Sequence, residues 1–102
     1  MAVARTLRSE SSVNYLDTTA DSLTLTLNNG GPRPGNHTHI ILVKGANTAT
    51  LSGANTVINF SPTTHSGVTT VTWNNVGDSL TLIWEVTSKK WSILSYYGVA
   101  FS

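Results

Sequence analysis

The sequence predicts an all-β fold, a single-domain antiparallel β-sandwich or barrel of jelly-roll type with about eight strands and an extended N-terminal arm. The first sign is a repeat. Asp-Ser-Leu-Thr-Leu stands at 21–25 and again at 78–82, and each copy opens an alternation of apolar and polar residues. Successive side chains of a strand point to opposite faces, so Leu23, Leu25 and Leu27 share one face while Thr24 and Thr26 take the other. The second sign is punctuation. Gly, Pro and Asn break the apolar runs at short intervals, and the unit Gly-Ala-Asn-Thr is used at 45–48 and at 53–56. The third is an absence, since no stretch shows apolar spacing of 3, 4 and 7 over a helical length.

Residues 1–13 hold Arg5, Arg8 and Glu10 with few large apolar side chains, and read as an extended arm ahead of a β-domain spanning 14–102. Strands are expected at 13–17 and 22–28. Segment 28–36 contains two prolines and three glycines, which remove donors and free the backbone, so it reads as a surface excursion. Further strands are expected at 37–44, 47–51, 55–60, 68–74, 79–87 and 90–97, with an extended tail over 99–101. Alternation assigns Leu23, Leu25, Leu27, Ile40, Leu42, Leu51, Ile58, Phe60, Val71, Trp73, Leu80, Leu82, Trp84, Trp91 and Ile93 to the core. Some apolar residues fall on the other face. Segment 39–43 is apolar on both sides, Ile83 opposes the Leu80 and Leu82 face, and Leu94 and Tyr96 oppose Trp91 and Ile93. On a domain this small such residues mark contact with another subunit, which makes Ile41, Val43, Ile83 and Tyr96 the expected subunit interface.

Composition narrows the function. Charged residues are 11% of the 102 residues and the net charge is +1, too little for a surface that binds nucleic acid through many phosphate contacts. There is no Cys, so neither a disulfide nor a thiolate zinc site forms. No window approaches the ~20 apolar residues of a membrane helix, and Met1–Arg5 does not open an apolar secretion leader, which points to synthesis in a cytoplasm and no membrane partner.

The residues that carry chemistry are scattered. His37 and His39 project to the same face of a strand, a spacing suited to a transition metal, but no Asp, Glu or Cys lies near them in sequence, and they read as strand-capping histidines with no metal. Asp21 and Asp78 precede identical strands and read as turn residues. There is no Gly-x-Ser-x-Gly elbow, paired-carboxylate site or phosphate loop, so neither an enzyme nor a cofactor is expected. Trp73, Trp84, Trp91, Tyr96 and Tyr97 alternate with aliphatic residues, as core or interface residues do rather than a sugar-stacking platform.

The segment Gly77-Asp78-Ser79-Leu80-Thr81-Leu82-Ile83-Trp84, a polar turn, and then Trp91-Ser92-Ile93-Leu94-Ser95-Tyr96-Tyr97-Gly98 resembles the end of small β-domains in structural proteins of tailed bacteriophages, among them capsid decoration (cement) proteins and tail-fibre modules. The Gly-Ala-Asn-Thr units and the Thr/Asn-rich alternation are similar too. The resemblance implies a non-catalytic virion protein, often trimeric. The expected function is therefore capsid decoration: a homotrimer on the outer capsid surface that contacts the major capsid protein and stabilises the head, with Arg5, Leu7 and Arg8 in an arm that lies along a capsid subunit. The alternative is a tail-fibre or receptor-binding β-module that binds host carbohydrate.

Overall fold

The fold is known from a computed structural model that describes residues 2–7, 12–27, 36–52, 70–87 and 90–102. Among them are nine strands and no helix: β1 (Ala2–Thr6), β2 (Ser12–Asp17), β3 (Ser22–Thr26), β4 (His37–Lys44), β5 (Ala49–Ser52), β6 (Thr70–Trp73), β7 (Ser79–Glu85), β8 (Lys90–Tyr97) and β9 (Ala100–Phe101). They form two sheets packed face to face. Sheet one has the order β1-β3-β5-β6-β9, and sheet two the order β2-β4-β7-β8. The expected segments 37–44 and 90–97 match β4 and β8 at both ends. The expected strand at 55–60 lies outside the described residues.

The pairing departs from an antiparallel jelly roll. From β1 to β5 the chain changes sheet at every strand, so each strand meets a neighbour of the same direction: β1 with β3, β2 with β4, and β3 with β5 are all parallel. Val13 stands opposite His39 and Leu25 opposite Leu51, the same sequence separation in both sheets, and the β2–β4 register shifts by one residue between Leu16 and Asp17. This half of the molecule is a flattened two-sheet coil. Parallel neighbours need a crossover, and here the crossover is a strand of the opposite sheet. From β5 onward the pairs are antiparallel, so both sheets are mixed.

A strand with one apolar face must bury it, and the two inner faces make one core. Leu25, Leu27, Ile40, Leu42, Leu51, Val71, Trp73, Leu80, Leu82, Trp84 and Trp91 are buried as alternation predicts, while Leu23 and Ile93 are partly buried against them. Ile58 and Phe60 lie outside the described residues. Leu7, Leu16, Ala49 and Val99 join this core from positions that alternation did not single out. Leu25 and its neighbour Thr24 test the assignment of faces. Leu25→Ala should cost about 2–5 kcal/mol in a urea titration, and Thr24→Ala, at an exposed position, well under about 1 kcal/mol. Equal losses would mean the faces are reversed.

Polar groups inside the sandwich are matched. Asn14 Nδ2 donates to Thr38 Oγ1 at 2.7 Å between β2 and β4, and Trp73 Nε1 donates across the core to the Ile40 carbonyl at 3.2 Å. Every buried side-chain nitrogen or oxygen among the described residues has a hydrogen-bond partner.

The corner after β2 is tied to the end of β4. The Thr18 amide donates to the Lys44 carbonyl at 2.9 Å, Thr18 Oγ1 to the Asn47 carbonyl at 2.7 Å, and Asn47 Nδ2 to the Thr18 carbonyl at 2.8 Å. The first Gly-Ala-Asn-Thr unit is thus the clasp that joins two turns of the coil. Its copy at 53–56 lies outside the described residues.

Candidate functional site

Residues 2–7, expected to belong to an arm that stands off the domain, are built into sheet one. Ala2–Thr6 pairs with all of β3, the Leu7 amide donates to the Thr26 carbonyl at 2.7 Å, and Leu7 is buried. A boundary after residue 13 would cut through β2. Leu7 is therefore a core residue. Arg5 lies beside buried Leu25, so it points inward at the edge of the sheet, where its guanidinium donates to the Tyr15 carbonyl of β2 at 2.6 Å. An inward-pointing charge at the open edge of a sandwich blocks further strand addition there. Arg8 lies outside the described residues.

Deleting residues 1–7 should consequently destabilise the fold. Loss of Leu7 alone amounts to about 2–5 kcal/mol, to which the β1 ladder adds. Thermal unfolding of the truncated chain checks this, and a melting temperature unchanged by the deletion would overturn the role of β1.

The outer face of sheet two carries one group of exposed apolar side chains, with Val3, Val76, Leu94, Tyr96 and Tyr97 exposed besides. Tyr15 is 62% exposed, Val13 49% and Val43 43%, with Ile41 and Ile83 half-buried on the same face. Register brings Tyr15 beside Ile41, Val13 beside His39, and His37 beside Ile83. His39 Nδ1 lies 2.7 Å from Thr81 Oγ1 on the neighbouring strand. Three of the four residues expected at a subunit interface, Ile41, Val43 and Ile83, share this face.

Tyr96 does not. The β7–β8 register slips between Thr81 and Leu82, so that Leu82 pairs with Ile93, Thr81 with Ser95 and Leu80 with Tyr96. One extra residue inverts the alternation, and beyond the bulge Tyr96 lies on the side of Leu80. There, at the sandwich edge, its ring meets Phe101 of β9 edge-on at 4.9 Å and 89°. It links the rims of the two sheets.

Val13 and Tyr15 were not legible as surface residues. Their strand reads equally well either way up, and burial of Asn14 and Leu16 instead follows from the Asn14–Thr38 hydrogen bond inside the core.

The acidic residues do not converge. Asp78 Oδ2 accepts from the amides of Asn74 and Asn75, at 3.0 Å each, and shapes the turn into β7. The Thr19 hydroxyl and then the Thr19 amide donate to the Asp17 carboxyl and hold its pKa below the ordinary value, which marks another turn. No group of three or more His, Cys, Asp or Glu among the described residues is placed to hold a metal. Trp73, Trp84 and Trp91 are buried, and Trp84 and Trp91 pair across β7 and β8 with ring centroids 5.3 Å apart. Tyr97 is 71% exposed.

No protein-family model matches the chain, and neither does any curated protein sequence.

Proposed function

We propose that this chain is a non-catalytic structural protein of a tailed-phage virion, a homotrimeric decoration protein that binds the outer capsid surface and stabilises the head. The observation that carries this reading is the outer face of sheet two. Val13, Tyr15, Ile41, Val43 and Ile83 gather on one side of a sandwich whose own core is already filled. A contiguous apolar patch on a small domain marks a protein contact, and subunits packed through it would bury these side chains. The trimer then presents three copies of its remaining surface to the major capsid protein. Three modest footprints on one rigid body hold far more tightly than one. The protein would be made in the host cytoplasm and act on the virion.

A carbohydrate-binding tail module is the second reading. Tyr97, exposed on edge strand β8, is the aromatic ring that favours it. Against it stand the three buried tryptophans, which leave no larger stacking platform among the described residues.

Sedimentation and capsid binding test the proposal together. The isolated protein should sediment as a trimer, and Tyr15→Ser with Ile41→Ser should dissociate it. Added to undecorated capsids, the native protein should occupy lattice sites and raise the rupture temperature, with the double variant much weaker. A monomeric native protein that leaves capsids unprotected but binds glycans through Tyr97 would replace this reading with the second.

A further inference from the structure

We propose that His37 and His39 form a two-imidazole chelate for a divalent first-row transition metal ion on the outer face of β4. Two residues apart on a strand rising about 3.3 Å per residue, the two rings leave the sheet from the same face roughly 7 Å apart at the backbone. That separation lets two imidazoles bend toward one ion at the usual metal–nitrogen distance of about 2.0–2.1 Å.

The pairing of β4 with β7 supplies the second observation. Thr81 lies directly opposite His39, and its hydroxyl sits 2.7 Å from Nδ1. With the hydroxyl accepting the Nδ1 proton, the lone pair is on Nε2, the atom that ligates, and the ring is fixed in rotation. A metal-binding histidine is commonly held this way through its other nitrogen. Thr81 is thus a positioning residue. His37 stands opposite Ile83 on the same face. The described residues hold no three-ligand set, so the chain supplies two positions and water the rest.

Imidazole ligation selects Cu²⁺, Ni²⁺ and Zn²⁺ over the oxygen-seeking Mg²⁺, with Cu²⁺ bound tightest. The inference goes beyond capsid decoration: both ligands come from one strand of one chain, but they share the outer face with the residues assigned to the subunit contact, so the site is tested in the dissociated double variant as well as in the native chain.

The test is calorimetric titration of the full chain with copper, nickel, zinc and magnesium chlorides at neutral pH, with electron paramagnetic resonance of the copper adduct. Copper should bind with coupling to at least two imidazole nitrogens, and magnesium should not bind. His37→Ala and His39→Ala, checked for folding by circular dichroism, should each abolish the two-nitrogen signal. Thr81→Val should weaken copper binding about tenfold, in the range found for groups that orient a ligand, and Thr81→Ser should restore it. The Tyr15→Ser, Ile41→Ser double variant should bind copper as the native chain does, which separates this site from the proposed trimer. Copper binding that survives removal of both histidines, a single-nitrogen signal, equal uptake of magnesium, or loss of binding in the double variant would each overturn the proposal.

Discussion

Replacing Trp73 by Ala should lower the free energy of unfolding by about 3–5 kcal/mol, the range for a large aromatic ring removed from a closed core. Trp73 is fully buried, and its partner on β5 is Ala49, whose small side chain leaves room for the indole between the sheets. The ring also carries the hydrogen bond from Nε1 to the Ile40 carbonyl, a polar link that crosses from one sheet to the other. Trp73→Phe separates the two contributions. It keeps an aromatic ring and removes the donor, and should cost about 1–3 kcal/mol for the lost hydrogen bond and altered packing. Chemical denaturation monitored by circular dichroism measures both. A loss below about 1 kcal/mol for the Ala variant would mean that Trp73 is not the centre of the core.

Gly45→Ala should be nearly as damaging at a position with no side chain to lose. The residue has φ of +111°, where L side chains are strained, and a Cβ there would meet the Thr18 carbonyl carbon and, at 2.5 Å, the Thr19 amide nitrogen. Both are backbone atoms, and the Lys44 and Asn47 hydrogen bonds hold Thr18 in place. Positive φ costs about 1–3 kcal/mol and overpacking about as much again, so a total of about 2–6 kcal/mol is expected. Gly77→Ala is the control. Its φ of +99° is equally unusual, but a Cβ would find nothing within 4 Å, and only the conformational strain should appear. Melting temperatures of the two variants give the comparison. Equal shifts would show that the clasp between Gly45 and Thr18 is looser than its geometry indicates.

The strands were legible wherever alternation was long and turn residues bounded it. Leu25 and Leu82, at the ends of the repeated pentapeptides, both face inward, although β3 and β7 lie in different sheets. The repeat therefore encodes a turn and an inward face, not a place in the topology. Strand β1 escaped notice because Ala2–Thr6 offers one large apolar side chain and gains its stability from pairing with β3. Parallel pairing escaped for a related reason. An antiparallel hairpin is announced by its own turn, whereas Val13 meets His39 only after the chain has passed through the other sheet. At the candidate surface, Ile41, Val43 and Ile83 follow from alternation within single strands. Tyr96 does not, since the bulge that turns it over is a property of how β8 pairs with β7. Residues 2–7 read as an arm because a leader viewed without its strand partner, here β3, looks like a tether.

The order β1-β3-β5-β6-β9 places the first and last strands on opposite rims of sheet one, about 19 Å apart at four interstrand steps of 4.7–4.9 Å. Neither end of the described chain belongs to sheet two. Polypeptide attached before β1 or after β9 would therefore leave from the opposite layer of the sandwich, with Val13, Tyr15, Ile41 and Val43 unobstructed on the far side. The domain could carry a fluorescent protein, an antigen or a purification tag at each end on separate rims, and the apolar surface of sheet two would stay clear for whatever it grips.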